Sequence, residues 1–340
     1  MNNLDPKDVF GSLQMLPDQI ESVWTLSKEI DYPDRFKNLK RIVCCAMGGS
    51  MYGAYIANAL FHDSLKAPII TLGDYRLPGF ASSDTLIILS SYSGNTEEPI
   101  NCAEEAVLKK LPLTVLTYGG KASEIAQQNN LPALIFDPKF NPSDQPRLGS
   151  GYMVLGILGI LNQLGYIFLS DQEIIEGIEF LNSSNEGIKK QAEALAKELE
   201  RYIPLLIAAE HLNGNIHILR NQINETAKSF SAFAELPELN HHLMEGLKNP
   251  PDKKIKTLFI NSNLYSEKLT KRMEITKDVI EKNGLSYIEY NPQSKTKFLQ
   301  MLEVLSFGGY LSYYLAMLYK QDPSVIPWVD YFKNELQKSS

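Results

Sequence analysis

The chain has 340 residues, with 33 Lys and Arg against 40 Asp and Glu and a formal net charge of −7 at pH 7. That balance leaves no broad cationic surface for nucleic acid or an anionic membrane, and 44% hydrophobic with 21% charged residues is the composition of a globular chain of one or two domains. Cys44, Cys45 and Cys102 are odd in number and sit in apolar or helical surroundings, which points to buried thiols in a reducing, cytoplasmic setting.

Residues 1–5 lack the basic and apolar parts of a signal peptide. Residues 9–26 carry Val9, Phe10, Leu13, Ile20, Val23, Trp24 and Leu26 at roughly helical spacing. A strand is expected at 41–46, followed by Met47-Gly48-Gly49-Ser50 and a helix to about 61. Strands follow at 67–72 and 84–89, then a helix over 96–110, a strand at 113–117, a short helix at 123–128 and a strand at 133–136. Residues 152–169 form the longest apolar stretch; Asn162, Gln163 and its glycines fit a buried core helix better than a membrane span. The Glu/Lys/Ala-rich segment 171–201 reads as a helix linking two domains. In the second half, strands are expected at 203–208, 215–219, 256–260 and 286–290. Helices are expected after Arg220, over 239–247, between the last two strands, and twice at the C-terminus. Continuous apolar strands alternating with helices imply α/β architecture: two similar domains, residues 1–168 and 169–340, each a parallel sheet covered on both faces as a three-layer αβα sandwich. Asn261-Ser262-Asn263 falls at a strand end like that of the first half, without its cluster of hydroxyls.

The most telling segment is Ser90-Ser91-Tyr92-Ser93-Gly94-Asn95-Thr96-Glu97-Glu98. It lies at a strand-to-helix turn, where free N–H groups and the positive end of the helix dipole favour an anion. Ser91, Ser93 and Thr96 add hydroxyl donors. Gly48 and Gly49 allow close backbone approach at another strand end, and ligands of parallel sheets sit at those carboxyl ends, so Gly48-Gly49-Ser50 and the Ser91 loop are expected to converge on one ligand. Arg147, taken alone, reads as a solvated cap residue. Asn224-Glu225 with Lys228, expected to open a helix directly after a strand, reads as a surface ion pair. His241 and His242 are adjacent, so on a helix they diverge by about 100° and are unsuited to one metal. The spacings H-E-x-x-H and H-x-x-E-H are absent. No metal or cofactor is expected, and one of these histidines is a natural acid/base group near neutrality.

Taken in order, Met47-Gly48-Gly49-Ser50, the Ser91 segment, Pro146-Arg147, Asn224-Glu225 with Lys228, and Glu238-Leu239-Asn240-His241 resemble the bifunctional phosphoglucose/phosphomannose isomerase family, built from two sugar isomerase (SIS) domains. The resemblance covers essentially the whole chain. It implies that Ser50, Ser91, Ser93 and Thr96 hold a sugar phosphate, with Gly48 and Gly49 against the substrate. It further implies that Glu225 moves a proton between C2 and C1 through a cis-enediolate stabilised by Arg147, and that His241, contributed by the partner of a homodimer, opens the sugar ring. Lys333, in Tyr331-Phe332-Lys333-Asn334, is similar to a lysine that assists ring opening. Where many members follow the histidine with Asn-Glu, this chain has His242-Leu243, which makes His242 a second candidate. Two alternatives share the phosphate loop: a non-catalytic phosphosugar sensor, and another SIS isomerase such as one forming glucosamine 6-phosphate.

Overall fold

The computed structural model describes residues 4–339. In chain order its elements are α1 (Val9–Gln14), α2 (Leu16–Ser27), β1 (Arg41–Cys45), α3 (Tyr52–Leu60), β2 (Ile69–Leu72), β3 (Thr85–Ser90), α4 (Glu97–Leu108), β4 (Leu113–Thr117), α5 (Gly120–Gln128), β5 (Ala133–Ile135) and α6 (Ser150–Gln163). Then come α7 (Asp171–Leu199), β6 (Ile203–Ala209), α8 (Asn213–Gln222), β7 (Ala232–Leu236), α9 (Leu243–Gly246), β8 (Ile255–Ile260), α10 (Glu267–Lys282), β9 (Ser286–Tyr290), α11 (Lys297–Leu318) and α12 (Pro327–Ser339). Two wholly parallel sheets result, ordered β2-β1-β3-β4-β5 and β7-β6-β8-β9.

Strands β3 and β4 are buried along their whole length, as expected of central parallel strands with both faces covered. Side chains alternate across the pleat. Ile42, Cys44, Leu86, Ile88 and Leu116 face the cluster built by α2, α3 and α6. Val43, Cys45, Ile87, Leu89, Leu113 and Val115 face α4 and α5.

The second sheet shares one core with α7, α8, α10 and α11. Helix α7 starts sharply because Ser170 and Glu173 cap each other: Ser170 Oγ accepts from Glu173 N at 3.3 Å and the Glu173 carboxylate accepts from Ser170 N at 2.8 Å. Ile174 and Leu181 of α7 join the first core, whereas Ile188, Ala192, Ala196 and Leu199 join the second. Helix α11 divides in the same way, with Phe298, Met301 and Leu302 on one side and Phe307, Leu311 and Leu315 on the other. Among the described residues it is the one helix long and apolar enough to cross a membrane. Its burial within both cores accounts for that apolarity.

The structure corrects three sequence expectations in the second half. Residues 215–219 are not a strand but part of α8. Ile216-His217-Ile218 alternates like a strand, but the helix buries Ile216, Leu219 and Ile223 at i, i+3 and i+7 with Ile218 on a further face. After Arg220 the helix does not begin but ends, in one wider turn over Ile223–Ala227, and the next element is the unpredicted edge strand β7, whose short, half-buried Ala232-Phe233-Ala234 run is interrupted by Glu235. The helix expected over 239–247 is broken at His242 (φ −149°) into a tight turn, Glu238–His241, and the four-residue α9.

Candidate active site

The expected anion site is built from two strand ends. After β1, Gly48 adopts φ +51° and opens a tight turn, Gly48–Met51, that leads into α3. Gly49 rests on the backbone of the 146–147 segment, where a Cβ would stand 3.2 Å from Arg147 N and Cα. Ser50 ties this turn to the second strand end. Its carbonyl accepts from Ser90 Oγ at 2.8 Å and its Oγ accepts from Tyr92 N at 2.9 Å.

After β3 the chain makes a compact loop in which Ser91 Oγ accepts from Gly94 N at 3.1 Å and donates to Thr96 Oγ1 at 3.3 Å, while Ser93 Oγ accepts from Asn95 N at 3.3 Å. Gly94 is required twice over. Its φ is +72°, and a Cβ would fall 1.8 Å from Gly119 O. Thr96 is the N-cap residue of α4 but makes no side-chain bond to the cap. Its hydroxyl and the first N–H groups of α4 therefore meet at the helix end that favours an anion.

Arg147 is not a solvated cap residue. It is 1% exposed and is the largest of the fully buried side chains. Its Nε donates to Thr226 Oγ1 at 3.1 Å, Nη1 to Gln145 Oε1 at 3.1 Å, and Nη2 to the carbonyls of Pro323 and Ser324 at 2.6 and 3.0 Å. Nη1 also stands 3.8 Å from Glu225 Oε2. A guanidinium can satisfy so many neutral acceptors while keeping its charge because its donors are fixed in a planar fork.

Glu225 does not open a helix after a strand; it sits in the wide closing turn of α8. Its carboxyl is raised above the ordinary value of 4.5, because burial outweighs the opposing pull of Arg147, Lys333 and Lys228. Lys228 is not an exposed ion pair. Held at φ +53°, it donates to the carbonyls of Thr226, at 3.2 Å, and Asp322. Burial first, and Arg147 second, lower its ammonium to about 8. The buried Tyr52, two residues beyond Ser50, shares this electrostatic neighbourhood with Glu225 and Arg147; nothing in its sequence setting among apolar helix residues distinguished it.

Ser50, the Ser91 loop, Arg147, Glu225 and Lys228 are thus one constellation, with Lys333 of α12 within electrostatic reach of Glu225. Those members are linked by the packing of Gly49 on Arg147 and by the bonds just described. His241 and His242 stand outside it. Both are exposed in the turn after β7, and His242 Nε2 pairs with Glu238 Oε2 at 2.7 Å. Thr226 and Gln145, which aim the guanidinium, carry no sequence signal that marks them.

Comparisons with known proteins agree with this architecture. Residues 188–336 match the model of the bacterial phospho-glucose isomerase C-terminal SIS domain. A bifunctional phosphoglucose/phosphomannose isomerase of Caldicellulosiruptor bescii is 31% identical over 96% of this chain and 98% of its own length. One of Aquifex aeolicus is 29% identical over 91% and 95%. Among solved structures, a hypothetical protein from Thermus thermophilus superposes with a TM-score of 0.73 at 16% identity, covering 98% of this chain and 91% of that one. The chain therefore belongs to the bifunctional phosphoglucose/phosphomannose isomerase family and is a sugar-phosphate isomerase of SIS-domain architecture.

Proposed function

We propose that the enzyme interconverts glucose 6-phosphate and mannose 6-phosphate with fructose 6-phosphate by metal-free proton transfer through a cis-enediolate. The observation that carries this reading is the Arg147–Glu225 pair beside the Ser50 and Ser91 turns: a carboxylate of raised basicity, 3.8 Å from a buried guanidinium. Ser50, Ser91, Ser93 and Thr96, with the backbone of Gly48 and Gly49, hold the phosphate. Glu225 takes the proton from C2 of the aldose and returns it to C1. Negative charge then builds on the O1 and O2 oxygens, where a fixed guanidinium stabilises it without reorganisation. The two C2 epimers need only rotate about C2–C3 to present their proton to the same base.

Ring opening requires a proton on the ring oxygen, supplied by His241 of a second subunit with Lys333 assisting. The exposure of His241 on its own chain supports a homodimer whose sites are shared. On this reading residues 1–168 bind the phosphate, and residues 169–340 bring the base and the acid. Three buried free thiols, Cys44, Cys45 and Cys102, support a cytoplasmic setting.

The test is conversion of fructose 6-phosphate by the purified chain with a chelator present, beside Glu225→Gln. Formation of both aldoses, lost in the variant, supports the assignment. Glucose 6-phosphate alone narrows it to one epimer. Tight binding without turnover would move the chain to the sensor class.

A further inference from the structure

The two halves of the chain repeat one plan. β1-α3-β2 corresponds to β6-α8-β7 and β3-α4-β4 to β8-α10-β9, in matching sheet orders. Each central strand is followed by a left-handed residue and a tight turn into a helix: Gly48 at φ +51° ahead of α3, and Glu210 at φ +47° ahead of α8. The β8–α10 loop has the length of the β3–α4 loop, with Ser266 as N-cap residue where the first half has Thr96.

The active site uses these two strand ends in the first half, together with Glu225 from the far end of α8 and Arg147 from just before α6. The corresponding parts of the second half line a separate cavity of about 840 Å³. Its wall includes Glu210, His211 and Ser266 at the strand ends, Asp63 beyond the far end of α3, and Lys297 at the start of α11. The cavity is thus the internal counterpart of the active site. It differs in one respect that chemistry can read. Where the first half has Gly48, the second has a carboxylate, and Glu210 Oε1 accepts from the backbone N–H of Ser266 at 3.2 Å. An anion supplied by the chain itself already sits at the N-terminus of α10.

We propose that this cavity is a second sugar-phosphate cleft, retained from an internal duplication, and that the Glu210 carboxylate occupies its phosphate seat and keeps phosphate monoesters out. The inference rests on the phosphate reading of the Ser50 and Ser91 turns. Glu210 is the determinant because it does two things at once: it fills the seat, and it sets a negative charge against any incoming anion. Glycine suits its backbone, since φ +47° is a conformation that glycine adopts without strain. Glu210→Gly therefore opens the seat without disturbing the turn.

The experiment is calorimetric titration of inorganic phosphate at fixed ionic strength into the wild-type chain and Glu210→Gly, with isomerase turnover as the check on folding. The expected result is a rise from about one to about two phosphates per chain. The added site should vanish when Glu210→Gly is combined with Ser266→Pro. Proline removes the donating N–H and suits the φ of −59° at that position. An active Glu210→Gly chain that still binds one phosphate overturns the proposal, as does an added site that survives Ser266→Pro. If Glu210→Gly loses turnover, Glu210→Asn, which tolerates the left-handed conformation but is too short to reach Ser266, is read in the same way. A wild-type chain that binds no phosphate beside a Glu210→Gly chain that binds one would refute the first-half phosphate assignment while supporting this one.

Discussion

Arg147 Nη1 and Glu225 Oε2 stand 3.8 Å apart, the guanidinium side chain 1% and the carboxylate side chain 32% exposed. The separation is too long for a strong hydrogen bond, so the two charges are not joined in a tight pair. The guanidinium directs its short bonds to Thr226, Gln145, Pro323 and Ser324. The carboxylate keeps its basicity, and burial raises it further.

Glu225→Gln should lower turnover on the order of 10³-fold, the range expected for loss of a positioned general base. It should not destabilise the fold. A carboxyl whose folded value lies above its unfolded 4.5 contributes stability that is present at low pH and lost as pH rises through the folded value. Near pH 7 the glutamate is therefore a net cost that glutamine removes. Thermal unfolding at pH 7 with the midpoint unchanged or raised would agree; a clear drop would show that the Arg147 attraction outweighs burial. In wild type, kcat/KM should fall on the acid side with a limb above 4.5.

Arg147→Lys keeps the charge but not the fork. One ammonium cannot bond Thr226, Gln145 and two carbonyls together while facing Glu225. Turnover should fall on the order of 10²- to 10³-fold, mainly in kcat, and the unbonded carbonyls of Pro323 and Ser324 should lower the melting temperature. Steady-state kinetics beside calorimetry separates the two effects; a variant with unchanged kcat would remove Arg147 from the chemistry.

Ser50→Ala should act on binding first. Its Oγ is the acceptor for Tyr92 N–H, a buried donor left unpaired in the variant, at a cost of about 1–3 kcal/mol. Because that bond joins the two halves of the cradle, KM for fructose 6-phosphate should rise more than kcat falls. An unchanged KM would separate Ser50 from the phosphate.

The first half of the fold was legible because its strands are continuous apolar runs between turn residues, and the compact loop after β3 because Ser91, Ser93, Gly94 and Thr96 form a local motif. The second half was less so. Helix α8 is wedged between α3 and α11 and is apolar on more than one face, so Ile216 and Ile218 imitate a strand. Strand β7 is a half-buried edge with Glu235 inside it. Arg147 could not be distinguished from a surface arginine, because the groups that offset its burial lie up to 177 positions away in sequence. The wide turn that aims Glu225 belongs to tertiary packing, and no periodicity announces it.

Lys228 should give the stability curve a feature at alkaline pH. Its ammonium is lowered to about 8 from 10.5, so between those values the unfolded chain holds a proton that the folded one has released. Stability then rises with pH across that window, relative to a chain without the lysine. Denaturant unfolding of wild type and Lys228→Met from pH 7.5 to 9.5 (a range of ~2 units below most tyrosine titration) should show the wild type gaining on the variant as pH increases. A difference independent of pH would mean that the lysine keeps its proton in the fold. If the charged form assists the enediolate, the same titration should appear as the basic limb of kcat/KM, absent in Lys228→Met.

The assignment of His241 to a neighbour's site makes a prediction that no single-chain role shares. His241→Ala and Glu225→Gln chains should each be nearly inactive alone. Mixed by co-expression, they form heterodimers in which one site has neither residue and the other has both: Glu225 from the His241→Ala chain and His241 from the Glu225→Gln chain. With random pairing, half the dimers are mixed and half their sites intact, so about a quarter of wild-type turnover should return. His242→Ala in place of His241→Ala tests the adjacent candidate: if it is the acid, that mixture recovers activity and His241→Ala alone is active. If each chain uses its own histidine, the mixed dimers contain no intact site and stay inactive.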